Sequence, residues 1–133
     1  MNKIKNKIFI ACDTTSLERA RKIIKETYNS KIKIGYKFGL EFFHSKFGRP
    51  FISKINLKNA IWLDLKLFDI PNTVSSSITS LKDLKKVSYL TVHVSGGLEM
   101  LKAAKKVAKK VNKKLKILGV TVLTSFNDQT IKK

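Results

Sequence analysis

Short apolar runs alternate along this chain with stretches whose apolar residues recur at helical spacing, the pattern of strands interleaved with amphipathic helices. Residues 8–13, Ile-Phe-Ile-Ala-Cys-Asp, form an apolar run ending in an acid and predict a first strand. Thr15-x-x-Glu18 then fits a capping box, followed by Leu17, Ala20, Ile23, Ile24 and Tyr28 at helical spacing. Residues 32–39 predict a second strand, with Ile34, Tyr36 and Phe38 on one face and Gly35, Lys37 and Gly39 on the other. An aromatic-rich turn or short helix over 40–47 is ended by Gly48-Arg-Pro50, and Phe51, Ile52 and Ile55 suggest a second helix after it.

Ala60-Ile-Trp-Leu63 predicts a third, buried strand that runs into a charged cluster, with a helix from about Asn72 through Ile78 and Leu81. A fourth strand over 89–95 is ended by Gly96-Gly97, and a helix from 98 to about 113 repeats Leu101, Ala104, Val107, Ala108 and Val111. Residues 115–125 predict a fifth strand ending in hydroxyls, and Asn127-Asp128 is placed to begin another helix. The β/α units recur every 25 to 30 residues or so, the period of a parallel barrel that shares about 250 residues among eight units. An open doubly wound sheet is the competing arrangement, but no glycine-rich nucleotide loop follows the first strand.

Polar chemistry gathers where these strands end: Asp13, Lys37, Asp64 with Lys66, His93, and Thr124 with Ser125. Strand alternation points Asp64 and Lys66 to one face and Leu63, Leu65 and Leu67 to the other. A lone Asp-x-Lys is ordinarily an ion pair closing a strand. Here Asp69 adds a third charge to a segment too apolar to hydrate it, and unpaired buried charges cost several kcal/mol each, so the stretch reads as a site. Lys37 stands out by its phase on the second strand, where glycine neighbours make room for it. His93 reads as a satisfied interior histidine, and His44 as packing or surface.

Composition narrows the class further. The 133 residues suffice for one ordinary domain, and 43% apolar content is enough to build a core. A formal charge of +19 is extreme, but it comes almost wholly from lysines spread along the chain, with arginine only at Arg19, Arg21 and Arg49. Readers of nucleic acid lean on the planar fork of arginine, so no nucleic-acid partner is expected. Cys12 is the single cysteine, which excludes an internal disulfide and fits a reducing cytoplasm. The start Met1-Asn-Lys-Ile-Lys-Asn-Lys-Ile-Phe-Ile-Ala-Cys12 mimics a basic leader, but its apolar segment is too short for one, and no run approaches a membrane span.

The run Asp64-Leu-Lys-Leu-Phe-Asp-Ile-Pro-Asn-Thr73 closely resembles the signature D-x-K-x-x-D-I-P-N-T of the orotidine 5′-phosphate decarboxylases. The shorter D-x-K-x-x-D is shared with sister keto-gulonate phosphate decarboxylases and hexulose phosphate synthases, so Ile70-Pro71-Asn72-Thr73 favours the pyrimidine enzyme. The resemblance extends through Asp13, Lys37, Val92-His-Val-Ser-Gly-Gly97 and Val120-Thr-Val-Leu-Thr-Ser125. It implies an α/β chain forming the N-terminal part, about five β/α strands, of a TIM-type (β/α)8 barrel, with residues 1–133 as one partial domain. It implies decarboxylation of orotidine monophosphate to uridine monophosphate without metal or other cofactor.

In the roles the resemblance implies, Asp64 and Lys66 are the catalytic pair, with Lys66 the proton donor, and Lys37 and Asp69 complete the charge array. Asp13 and Lys37 bind the ribose hydroxyls, Ile70 lines the pyrimidine pocket, and Thr124 with Ser125 meets the base. Asp69 and Thr73 reach into the neighbouring subunit's site of a homodimer. Members of this family carry phosphate-gripping loops after strands seven and eight, so a chain ending after strand five is expected to be truncated and to have little activity alone. The alternatives are a Mg²⁺-dependent sister enzyme acting on sugar phosphates, and an inactive fragment.

Overall fold

A computed structural model describes residues 8–29 and 31–131. The leader-like reading of the first residues therefore lies, for Met1 to Lys7, outside the described residues. Five strands form one parallel sheet in the order of the chain: β1 (Ile8–Ala11), β2 (Ile34–Gly39), β3 (Ala60–Leu67), β4 (Val87–His93) and β5 (Lys116–Val120). Each strand pairs with the next, so the order never reverses. A doubly wound sheet needs such a reversal to form its ligand crevice, and its absence from this sheet leaves the wall of a barrel.

The helices are α1 (Leu17–Thr27), α2 (Leu40–His44), α3 (Gly48–Lys54), α4 (Pro71–Thr79), α5 (Gly97–Val111) and α6 (Asp128–Ile131). The core lies between helices and sheet. Tyr36 and Phe38 from β2, Ile61 and Leu63 from β3, and Leu90 and Val92 from β4 are fully enclosed with Ala20, Phe42, Ile78, Met100 and Ala104. Phe38 stacks on Phe42, and Phe51 meets both rings edge-on, so the aromatic segment after β2 is a packing element.

The opposite, concave face carries Phe9, which meets Trp62 and Tyr89 edge-on at 5.4 Å from each ring centre. Gly35 makes this possible: a Cβ there would lie 2.5 Å from the Phe9 ring and 2.7 Å from the Ala60 carbonyl oxygen. The glycine room expected around Lys37 is thus taken up, at Gly35, by an aromatic ring one layer below the lysine.

Three local expectations are corrected. Ser16, not Thr15, caps α1: its Oγ accepts from the Arg19 N–H at 3.2 Å, while Thr14 Oγ1 accepts from the Ser16 N–H, leaving no capping box with Glu18. Gly48-Arg-Pro50 opens α3 rather than preceding it, since proline is tolerated in a first turn whose N–H groups lack helical partners. β5 stops at Val120 because its partner β4 ends at His93, where the chain coils into a 3-10 turn over Val94–Gly96. Residues 121–125 therefore have no ladder to join.

Candidate active site

Parallel pairing places the strand ends side by side. Ala11 lies level with Lys37, and Gly39 level with Asp64, so Asp13, just past β1, comes within reach of the lysine. Lys37 Nζ stands 3.0 Å from Asp13 Oδ2 and 3.6 Å from Asp64 Oδ2, and Lys66 Nζ donates to that same Asp64 oxygen at 2.8 Å. The result is one row of alternating charge, Asp13, Lys37, Asp64 and Lys66, drawn from three consecutive strands. Asp64 is the buried member, Lys37 is largely enclosed, and Lys66 and Asp13 face the open end.

How Asp64 and Lys66 come to meet differs from simple alternation. Opposite β4 the ladder jumps from Leu63 beside Leu90 to Leu67 beside Val92, so Asp64, Leu65 and Lys66 together face Thr91. Lys66 takes a left-handed backbone with φ of +47°, unusual for a residue with a long side chain. Bulges of this kind commonly re-aim a side chain beside a functional site. Thr91, buried on β4, spans the gap: its Oγ1 accepts from the Lys66 N–H at 2.9 Å and donates to Asp64 Oδ1 at 2.9 Å.

Burial by itself would push the Asp64 carboxyl up. The hydrogen bonds from Lys66 and Thr91, with the fields of Lys66 and Lys37, outweigh it and hold the group below its ordinary 3.8. Asp64 is therefore a carboxylate at neutral pH, buried beneath the more exposed Lys66 and Asp13. The neighbouring thiol behaves oppositely. Burial, then Asp13, raise Cys12 to about 11 against the opposing influence of Lys37, so this buried cysteine is an unreactive thiol.

The remaining candidates stand apart from this row. Asp69 is exposed, its Oδ1 accepting from the Ile70 N–H at 2.7 Å at the start of α4, where a carboxylate complements the helix dipole. Asp13, not Asp69, is thus the second acid of the row within this chain. Ile70 and Thr73 are exposed at the same helix end, and Pro71 occupies its first turn. Thr124 and Ser125 lie exposed in a turn beyond β5 and take no part in the hydrogen bonds and ion pairs of the charged row. His93 is half-buried at the end of β4 with its ring 5.5 Å from that of Phe68, at the rim and not in the interior. His44 is exposed at the end of α2, as expected of a surface residue.

Thr91 was not visible as a site residue in the sequence. Its only signal is phase, since it shares a strand face with His93, and a threonine in a strand is unremarkable. The bulge that gives it a partner on β3 is a tertiary feature.

A sequential parallel sheet with acids and lysines interleaved at its carboxyl edge defines a β/α-barrel enzyme scaffold of the kind whose chemistry sits at the strand C-termini. The matching family model, Orotidine 5′-phosphate decarboxylase / HUMPS, covers residues 6–133, and the chain belongs to that family. An orotidine 5′-phosphate decarboxylase of Wolbachia pipientis is 43% identical over 129 residues, covering 95% of this chain and 54% of that protein. The crystal structure of orotidine 5′-phosphate decarboxylase from Lactobacillus acidophilus superposes with a TM-score of 0.82 at 32% identity, over 95% of this chain and 57% of its own. That of the Methanocaldococcus jannaschii enzyme, complexed with the inhibitor BMP, gives 0.77 at 26% identity over 95% and 56%. The chain spans about half the length of the relatives it matches.

Proposed function

We propose that this chain carries the decarboxylating centre of an orotidine 5′-phosphate decarboxylase, converting orotidine monophosphate to uridine monophosphate and CO₂ in pyrimidine synthesis. The observation that carries this reading is the row Asp13, Lys37, Asp64 and Lys66, closed by contacts of 3.0, 3.6 and 2.8 Å at the carboxyl edge of the sheet. The names of the relatives support the substrate.

Breaking the bond from C6 to the carboxylate releases CO₂ and leaves the electron pair in an sp² orbital at C6. No adjacent π system absorbs it, so stabilisation has to come from fixed charge. Lys66 presents an ammonium held by Asp64 at 2.8 Å, which favours the localised carbanion over the spread-out charge of the substrate carboxylate. Lys66 then transfers its proton to C6 and recovers one from water. Asp64, a carboxylate facing the departing carboxylate, raises the energy of the bound substrate. Asp13 and Lys37, joined at 3.0 Å, meet the ribose hydroxyls, and Lys37 also shares Asp64 Oδ2 with Lys66. The chemistry runs on these side chains without a metal or organic cofactor.

Ile70 lines the pyrimidine pocket, and Thr124 and Ser125 meet the base. The working unit is a homodimer in which Asp69 and Thr73 enter the neighbouring site. The exposure of Phe68 and Ile70 on either side of Asp69 supports this, because a second copy would cover that apolar pair. A free, buried Cys12 is in keeping with the cytoplasm, and among the described residues no helix is long and apolar enough to cross a membrane.

Lys66→Ala, assayed for loss of orotidine monophosphate absorbance in the native polypeptide, is expected to lose several orders of magnitude in rate with an unchanged circular dichroism spectrum. Ordinary turnover by that variant removes Lys66 as proton donor. Turnover abolished by a strong chelator and restored by Mg²⁺ would point instead to a sister sugar-phosphate enzyme.

A further inference from the structure

We infer that Thr91 is the positioning residue of this site, its single hydroxyl setting where both the Asp64 carboxylate and the Lys66 ammonium stand. Between the pairs Leu63 with Leu90 and Leu67 with Val92, three residues of β3 face one of β4, so the backbone of β4 does not serve the Lys66 N–H. That N–H is turned toward β4 by the left-handed conformation of Lys66, and an unmet donor there would carry its full desolvation cost. Thr91 Oγ1 meets it at 2.9 Å.

A hydroxyl has one proton. With Oγ1 accepting from the amide, that proton is directed at Asp64 Oδ1, 2.9 Å away. Oδ1 is thereby occupied from β4, and Oδ2 is left for the two ammonium groups, Lys66 at 2.8 Å and Lys37 at 3.6 Å. One side chain thus fixes the carboxylate's rotation and the backbone that launches the lysine. Of the charged groups around Asp64, Lys37 approaches from β2, Lys66 from its own strand, and Asp13 stands behind Lys37. Thr91 is the uncharged member, buried to 3% exposure, and it touches none of the reacting atoms in the mechanism above.

The kinetic part of this inference rests on the decarboxylase reading, and the spectroscopic part does not. Thr91→Val keeps the shape and removes the hydroxyl, whereas Thr91→Ser keeps the hydroxyl and removes a methyl. In the native polypeptide, ¹³C-detected titration of the Asp64 carboxyl should move its midpoint upward in Thr91→Val and leave it near the parent value in Thr91→Ser. Should Thr91→Val fail to fold, Thr91→Ala removes the same hydroxyl with less crowding and should move the midpoint in the same direction. With orotidine monophosphate, Thr91→Val should lower kcat roughly tenfold to a hundredfold with KM within about threefold, the loss of one hydrogen bond to a charged group, and Thr91→Ser should recover most of it. An unmoved midpoint in folded Thr91→Val or Thr91→Ala, or a Thr91→Ser variant as impaired as Thr91→Val, overturns the inference. A moved midpoint in a protein that does not decarboxylate orotidine monophosphate supports the role of Thr91 and refutes the assigned reaction.

Discussion

Asp64→Asn tests the electrostatics of the row most directly, because it removes one charge and almost no volume. In the folded chain Asp64 receives a charge-assisted hydrogen bond from Lys66 at 2.8 Å, a hydroxyl bond from Thr91 at 2.9 Å, and the ammonium of Lys37 at 3.6 Å. A hydrogen bond to a charged group is worth about 1.5–3 kcal/mol. Asn retains one acceptor oxygen, and Lys66, with 35% of its side chain exposed, regains part of its hydration when the carboxylate is lost, so the upper end of that range does not apply. The expected loss is about 2 kcal/mol at neutral pH, read as a lower midpoint in urea unfolding with an unchanged slope.

The sign of its pH dependence follows from the lowered carboxyl. Asp64 titrates below 3.8 when folded and near 3.8 when unfolded, so its contribution is complete above the unfolded value and disappears as pH falls through the folded one. The deficit of Asp64→Asn should therefore be largest near neutrality and shrink in acid, as the parent protein takes up the proton that the variant never needs. Equal deficits at neutral and strongly acidic pH, or a variant more stable than its parent at neutrality, would refute the assignment of Asp64 as an ion-paired carboxylate.

Other expectations concern the scaffold. Gly35→Ala would drive a methyl into the Phe9 ring and the Ala60 carbonyl, at 2.5 and 2.7 Å, and should cost about 1–3 kcal/mol in urea unfolding; a neutral result would show that the concave aromatic layer is loosely packed. Gly48→Ala should be worse than Gly35→Ala in the same assay, since its Cβ would press on both the carbonyl oxygen and the carbonyl carbon of Phe42, much closer than the Gly35 Cβ would approach the Ala60 carbonyl oxygen. Cys12, fully buried and raised to about 11, should react with iodoacetamide far more slowly in the folded chain than in urea, and rapid labelling of the folded chain would contradict both its burial and its protonation.

Much of this fold is legible in the pattern of its sequence. Ile34, Tyr36 and Phe38 occupy alternate positions of β2 and all three are buried, while Leu101, Ala104, Val107, Ala108 and Val111 mark the core face of α5, because burying one face of a strand or helix imposes its own period on the chain. The cap of α1 falls on Ser16 and not on Thr15, since adjacent hydroxyl residues are chemically equivalent until the backbone chooses between them. The length of β5 is not legible in composition because apolar residues continue past Val120 to Val122 and Leu123, whereas a strand ends where its partner does, at His93.

For the site, residue types and spacing along the chain determined which side chains carry charge and that Asp13, Lys37, Asp64 and Lys66 all fall at strand ends. Only the tertiary structure decided who touches whom. It put Asp13 in the row and left Asp69 exposed at the head of α4, set Lys66 in a left-handed turn of the backbone, and brought Thr91 across from the neighbouring strand to hold both members of the pair. The physical reason is that hydrophobic periodicity is a property of one segment, whereas a bulge and the hydrogen bond that satisfies it depend on two strands lying in register, and register between β3 and β4 is set by contacts some 25 residues apart in the chain.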